Sequence, residues 1–258
     1  MRSAGTSRKI GLARALSKLG YCSRSQAAEM IRSGRVQLNG AVKRDPETPV
    51  TVEKDRIAVD GDRVEANDQI YLMMNKPRGL VTTASDEKGR ETVYSLLAGA
   101  KLPWVAPVGR LDKASEGLLL LSNDSAWGAR IAAPETHLPK TYHVQIAAVN
   151  AEHIAATLVD GLREEGELLR AVSASVLRSG EKNCWLEIVL DEGKNRQIRR
   201  MLAALGVEVL RLIRVAIGPL QLGDLSKGAY RALTKEEKLA LNRAMQPASS
   251  RAGRSAAG

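Results

Sequence analysis

Asp112 lies between two cations, Arg110 and Lys113, in the run Gly109-Arg110-Leu111-Asp112-Lys113-Ala114-Ser115-Glu116-Gly117. Positive neighbours lower a carboxylate pKa and keep it ionised, the form that attacks an electrophilic carbon or accepts a proton. The same setting also suits a structural salt bridge or a turn. A second cluster is Gly193-Lys194-Asn195-Arg196-Gln197-Ile198-Arg199-Arg200. Here Arg196, Arg199 and Arg200 are spaced i, i+3 and i+4, which predicts one shared face on the first turns of a helix over Asn195 to Leu205. Positive charge at a helix N-terminus opposes the helix dipole. Such a face either meets a phosphate or carboxylate or is simply solvated. The third group is Lys140-Thr141-Tyr142-His143-Val144, an aromatic ring beside a cation in a predicted strand. A tyrosine can stack on an unpaired base, or it can fill a core. With no Phe in the chain and only 3% aromatic residues, each ring carries more weight than filler would.

The elements that must hold these residues follow from periodicity and punctuation. Ile70 to Met74 is a buried-strand pattern broken by Asn75-Lys76-Pro77-Arg78-Gly79, and Leu80 to Thr83 resumes a strand. Val93 to Leu97 predicts a helical turn, Leu118 to Leu121 a fully buried strand, and Trp127 to Ala133 a helix. Thr141 to Ile146 alternates as a strand, and Ala151 to Val159 is a helix closed by Gly161. Val172 to Leu177, Cys184 to Leu190 and Val207 to Ile213 are further strands, and Lys235 to Met245 is a helix. Strands mixed with irregular helices, without a regular βαβ alternation, place the chain in the α+β class: a small N-terminal domain and a larger mixed, mainly antiparallel sheet with flanking helices.

The N-terminal segment is distinct. Residues 1–44 hold ten basic residues and one acidic residue, in a chain whose formal net charge is +10. A surplus concentrated in this way suits a phosphate backbone, although a basic solubilising face has the same composition. Ser23-Arg24-Ser25-Gln26 is a capping box that opens a helix. Ile10, Leu12, Ala15, Leu16 and Leu19 predict another before it, and Asn39-Gly40 and Asp60-Gly61 predict hairpin turns. Lys9, Arg14, Lys18, Arg24, Arg32 and Arg35 are the candidate nucleic-acid contacts of this segment, and Arg110, Lys140, Arg196 and Arg200 those of the larger domain. The predicted division is 1–67, 68–245 and a polar tail, 246–258, expected to be disordered.

Several classes drop out. Leu118 to Leu121 is far shorter than the roughly 18 to 20 apolar residues of a membrane span, and the first residues, polar and basic, precede no apolar signal segment. Cys22 and Cys184 make no disulfide framework, and His137, His143 and His153 are scattered. A cytoplasmic monomer with an anionic partner, no membrane contact, no metal and no cofactor is expected.

Leu16-Ser17-Lys18-Leu19-Gly20-Tyr21-Cys22-Ser23-Arg24, with Gly34-Arg35-Val36 and Leu38-Asn39-Gly40, resembles an alpha-L RNA-binding domain over about residues 8–67. Asn75 to Gly79, Val108-Gly109-Arg110-Leu111-Asp112, Ser115 to Asp124, Lys140-Thr141-Tyr142, Gly193 to Met201 and Leu212-Ile213-Arg214 together resemble ribosomal RNA pseudouridine synthases of the small-subunit synthase A type. That resemblance covers about residues 8–243. It implies conversion of a uridine in ribosomal RNA, the large-subunit RNA ahead of the small, to pseudouridine, within ribosomal RNA or a ribosome assembly intermediate. It also implies Asp112 as the catalytic aspartate, Tyr142 as the ring that packs on the target base, and Arg199 as the cation that pairs with the aspartate. Lys113, Ser125 and Arg196 depart from the residues common at those positions, and none touches the three central roles. A non-catalytic RNA binder would not require the Asp112 loop with Tyr142 and Arg199. A nucleoside hydrolase would require two cooperating carboxylates, and by the resemblance Glu116 is structural.

Overall fold

Ser23 accepts a hydrogen bond from Gln26 N at 3.2 Å, and the Gln26 side chain accepts one from Ser23 N at 3.1 Å, so the second helix opens on the capping box its sequence spells. The computed structural model describes residues 9–84, 86, 88–147 and 150–246. Nearly all of the tail read at 246–258 lies outside them. The described residues divide into two compact units, and the first contains 9–70 together with 99–106 and 122–125.

In the first unit β1 (Ile10–Gly11) leads into α1 (Leu12–Lys18) and α2 (Arg24–Arg32). These are followed by β2 (Val36–Leu38), β3 (Ala41–Lys43), β4 (Pro49–Val50), β5 (Ile57–Val59) and β6 (Asp62–Arg63). Four of the strands form an antiparallel sheet in the order β3-β2-β5-β6, and β1 pairs with β4. Asn39, Gly40, Asp60 and Gly61 all have positive φ, as type I′ hairpin turns require. Leu12, Leu16, Ala27, Ile31, Val36, Val50 and Ile57 meet in its core. This unit does not close at residue 67. Ser122 Oγ donates to Ile70 O at 2.6 Å, Asn123 Nδ2 donates to Asp68 O, and Trp104 N donates to Gly20 O. Segments much later in the chain are therefore stitched into it, which no local pattern announces.

The second unit is built on β7 (Tyr71–Lys76), β8 (Ala106–Val108), β9 (Glu116–Ser122), α3 (Ser125–Ala132), β10 (Lys140–Ala147) and α4 (Ala151–Asp160). It continues with β11 (Leu162–Glu164), β12 (Glu167–Leu169), β13 (Ser173–Ser179), β14 (Cys184–Leu190), α5 (Gln197–Ala204) and β15 (Glu208–Ile217). It ends with β16 (Leu220–Gln221), β17 (Tyr230–Ala232) and α6 (Lys235–Ala244). One nine-stranded mixed sheet runs β13-β14-β10-β15-β9-β7-β17, with β16 on β15 and β8 on β9. The β10 pairings with β14 and β15 are antiparallel, and the β15 pairing with β9 is parallel. Every residue of β9 is buried, as expected of a strand covered on both faces. Helices α4 and α5 cover one core with Val144, Ile146, Leu186, Ile188 and Leu212, and α3 and α6 cover another with Met73, Leu118 and Leu120.

Three local expectations are corrected. Strand β7 continues through Asn75 and Lys76 instead of breaking there, because Asn75 N donates to Ala229 O and its side chain to Leu225 O. Leu80 to Thr83 contributes only an isolated bridge, Val81 with Thr92, since the Thr82 hydroxyl turns to Leu111 O at 2.7 Å. Helix α5 starts at Gln197, because Arg196 sits before it in the left-handed region at φ 48°. The β11–β12 hairpin turns on Glu165-Gly166, a pair that sequence reading passed over, and both residues have positive φ.

Gly117 decides the approach of β9 to β15. It has φ +101°, and a Cβ built on it would lie 2.3 Å from Arg214 O. No rotamer relieves a clash with backbone. We expect Gly117→Ala to lower the unfolding free energy by at least about 2 kcal/mol, the strain term alone supplying about 1 to 3. Urea unfolding measures this, and a midpoint unchanged from wild type would contradict the close approach.

Candidate active site

The site starts from a buried lysine. Lys76 ends β7 with no exposed surface. Its Nζ donates to Ser115 O at 2.9 Å, Pro77 O at 3.1 Å and Asp112 O at 3.2 Å. The same loop is held elsewhere: Thr82 Oγ1 donates to Leu111 O at 2.7 Å, Gly79 N to Lys113 O at 2.8 Å, and Ser115 N to Asp112 O at 3.0 Å. Arg199 Nη2 donates to Ala114 O at 3.1 Å. Each of the five consecutive carbonyls from Leu111 to Ser115 thus accepts a hydrogen bond. Buried backbone oxygens require such partners. Here the partners come from β7, the loop after it and α5, so the backbone of Asp112 is fixed by elements far apart in sequence. Burial pushes the Lys76 ammonium down to about 8, against the attraction of Asp112 and Glu116.

The half-buried Asp112 side chain faces a cavity of about 400 Å³, lined also by Tyr142, Arg199, Lys140, Arg214 and Arg110. That volume suits a small ligand such as a single nucleoside. Asp112, Tyr142 and Arg199, separated by up to 87 positions, are therefore brought to one cleft. Among the described residues the Asp112 carboxylate has no hydrogen bond and no ion pair within 4.0 Å. Arg199 attracts it electrostatically, but its guanidinium rests on the Ala114 carbonyl, and its Nε is buried without a partner. The expected direct pair is thus an attraction across the loop. Burial lowers the Arg199 pKa, Arg196 and Arg78 lower it further, and Asp112 opposes them. Tyr142 is half-buried on β10, with its ring packed on the core under α4 and α5.

The other predicted contacts divide. Arg110 and Arg196 are exposed on the cleft lining, and Lys140 is half-buried there. The reading of Arg196, Arg199 and Arg200 as one helical face is corrected: Arg196 lies outside the helix, Arg199 turns to the Asp112 loop, and Arg200 turns to the β11–β12 hairpin. Arg200 pairs with Glu164 and, at 2.9 Å, with Glu167, so its guanidinium is bound by two carboxylates instead of being open to phosphate. In the first unit Lys9, Arg14, Lys18, Arg24, Arg32 and Arg35 are all exposed, and Arg35 is bound to Asp60 through Nη2 at 2.5 Å.

Glu116 is 3% exposed and ion-paired with Arg211 at 3.0 Å and Lys227 at 2.6 Å. Burial would raise its pKa, but the hydrogen bonds from Arg211 and Lys227 outweigh that and hold it below the ordinary carboxylate value. It anchors β9 against β15 and does not line the cleft. Among the described residues no group of three His, Cys, Asp or Glu side chains is placed to hold a metal, and no helix is long and apolar enough to cross a membrane. Sequence reading assigned no role to Lys76, Thr82 or Arg214. The signal available for Lys76 was a lysine ending an apolar strand run, and for Arg214 an arginine inside the alternation of β15.

The comparisons with known proteins follow the same division. The family model described as RNA pseudouridylate synthase matches residues 70–204, and the one described as S4 domain matches residues 10–57. A protein of Rickettsia typhi named an uncharacterized RNA pseudouridine synthase is 37% identical over 87% of this chain and 92% of its own length. The ribosomal large subunit pseudouridine synthase B of Bacillus subtilis is 34% identical over 88% of this chain and 93% of its own. A solved structure titled as a pseudouridylate synthase is 31% identical, with a TM-score of 0.63, and covers 90% of this chain and 99% of that one.

Lys76 makes the clasp sensitive to pH. Its folded pKa, about 8, lies below its ordinary 10.5. The unfolded chain then binds more protons between those values, so the stability cost of burying the ammonium is full below pH 8 and is relieved as pH rises toward 10.5. Relative to Lys76→Met, the wild type should gain roughly 2 to 3 kcal/mol of unfolding free energy across that window. Paired denaturant melts from pH 7 to 10 test this, and parallel curves would exclude the assigned burial.

Proposed function

The chain belongs to the RNA pseudouridylate synthase family, isomerases acting on RNA, and carries an S4 RNA-binding domain; from that premise we propose that it converts a uridine of ribosomal RNA to pseudouridine with Asp112 as the catalytic residue. The observation that carries this reading is the clasped loop. It presents one unpaired carboxylate to a nucleoside-sized cleft whose lining includes a tyrosine ring and an arginine.

In the reaction the N1–C1′ bond of uridine breaks, the uracil turns, and C5 bonds to C1′. The C5 hydrogen leaves as a proton and N1 regains one, so product and substrate have the same composition. Asp112 acts on the sugar, as a nucleophile at C1′ or as a base. Either role requires a free carboxylate oxygen, and among the described residues the Asp112 carboxylate has no hydrogen bond and no ion pair. The target base must leave its stack, at a cost of a few kcal/mol, and the Tyr142 ring offsets part of it by stacking. The Arg199 guanidinium supplies positive potential at the carboxylate in a partly dry cleft, where such a field is stronger than in water.

Lys9, Arg14, Lys18, Arg24 and Arg32 of the S4-domain unit supply phosphate contacts that position the RNA, and Arg110, Lys140 and Arg196 supply those around the cleft. The relative named as a large-subunit synthase makes large-subunit RNA the first place to look. The protein is proposed to work in the cytoplasm, where ribosomal RNA of a bacterium is found.

Carbodiimide mapping of ribosomal RNA from cells with and without this gene should reveal one site of modification that depends on it. Restoring the gene as Asp112→Asn should leave that site unmodified, with turnover reduced by more than about a thousandfold, while the protein still binds the RNA. Retained product in that variant would refute the catalytic assignment. Replacing Arg14, Lys18 and Arg24 together by Gln should reduce the slope of log affinity against log salt by about 2 to 3. Equal slopes, measured by filter binding over 50 to 200 mM KCl (roughly the range in which counterion release is strong), would remove this face from the RNA contact.

A further inference from the structure

Two cations share the floor of the cleft. Lys140 and Tyr142 alternate on one face of β10, and Arg214 of β15 is the registered partner of Tyr142. Both cations line the cavity. Arg214 is only 6% exposed. Its Nε donates to Leu118 O at 2.7 Å, whereas its Nη2 is shielded from solvent and has no hydrogen-bond partner. Burial and then the charge of Arg214 lower the Lys140 pKa, and the carboxylate that opposes them, Asp191, is already engaged by His137 Nδ1 at 3.1 Å. Two like charges on one cavity lining, one with an unmet donor, cost stability that an anion joining them would relieve.

We propose that Lys140 and Arg214 form a phosphate anchor, which takes a phosphodiester flanking the target uridine beside the ring of Tyr142. The proposal rests on the reading of this cleft as the uridine site. A uracil carbonyl fits less well, because a neutral oxygen offsets neither charge, whereas a phosphate oxygen accepts charge-assisted bonds from both. The chemistry gives such an anchor a purpose. Between cleavage and re-bonding the base is detached from the strand, and C1′ must wait in place for C5. A ring under the base cannot hold the sugar; a clamp on its own phosphate can. The close contact of Gly117 with the Arg214 backbone then ties the anchor to the strand that follows the Asp112 loop.

The test compares uridine with uridine 3′,5′-bisphosphate, titrated into the full-length protein by calorimetry at physiological ionic strength, where exposed cations are screened. In the wild type the bisphosphate should bind about tenfold or more tightly than uridine. Arg214→Gln and Lys140→Met should each reduce that advantage to within about threefold with uridine affinity unchanged. Lys140 is half-buried at the cleft lining, so Lys140→Met gives a folded readout if Arg214→Gln melts early. The proposal is overturned if the wild type shows no phosphate advantage. It is also overturned if the advantage survives in the folded variants, or if uridine affinity falls in proportion. Should the advantage hold while no ribosomal RNA site depends on the gene, the substrate reading fails and the anchor stands. Should a site be found and the advantage be absent, the anchor fails alone.

Discussion

Five carbonyls in a row, from Leu111 to Ser115, are each engaged by a donor, and the rest of the catalytic unit is organised around that fact. A single hydrogen bond of this kind adds only about 1 kcal/mol net, and one from a charged donor about 1.5 to 3. The larger effect is asymmetric, since a buried carbonyl left without a donor costs about 1 to 3 kcal/mol. The Asp112 loop therefore has one low-energy path, and that path exists only when β7, the Gly79 to Thr82 segment and α5 are all in place. An ammonium beneath the loop would be costly in an apolar pocket. Three carbonyl dipoles converging on Lys76 Nζ offset that cost and make the lysine a fixed post and not a mobile chain.

The sheet carries this constraint to the far side of the cleft. Strand β9 leaves the loop at Glu116, whose buried carboxylate is paired with Arg211 of β15 and with Lys227. One residue later Gly117 lets β9 come against Arg214, and the parallel register Ile213 with Glu116 and Arg214 with Gly117 follows. Tyr142 is then the partner of Arg214 across the antiparallel β10–β15 pair. Aspartate loop, buried arginine and tyrosine thus form one chain of neighbours across three adjacent strands. A shift in any one pairing moves the others.

The parts of this arrangement legible in the sequence are those whose signal is local. The Ser23 capping box, the Asp60-Gly61 hairpin and the buried run of β9 each announce themselves within a few residues, and each forms as read. The α+β class follows from the same local patterns taken in order. What sequence could not express is partnership at a distance. Nothing around Lys76 says that its ammonium ends under residues 112 and 115, and nothing around Arg200 says that Glu164 and Glu167 occupy it. The helical wheel grouped Arg196, Arg199 and Arg200 by spacing, but a left-handed residue at 196 moved the start of the helix and sent the three side chains different ways. Asn75-Lys76 looked like a strand break because both residues are polar. Each finds partners inside the unit, so the strand continues through them.

The position of Arg199 bears on how a carboxylate can be attracted by a cation without being covered by it. A direct, bidentate guanidinium pair would hold a carboxylate firmly but would occupy both of its oxygens. In this protein the guanidinium is tethered two residues away, on the Ala114 carbonyl, and its influence on Asp112 is electrostatic. Among the described residues the Asp112 carboxylate accepts no hydrogen bond, while Arg199 attracts it from the neighbouring carbonyl. The buried, unpartnered Nε of Arg199 leaves a donor in reserve on the same group. A substrate that excludes water from the cleft strengthens this attraction without any new bond, because the same charges then interact through a lower dielectric. The loop clasp and the tethered arginine are therefore complementary halves of one device: the first fixes the backbone that carries the carboxylate, and the second attracts the carboxylate without bonding to it.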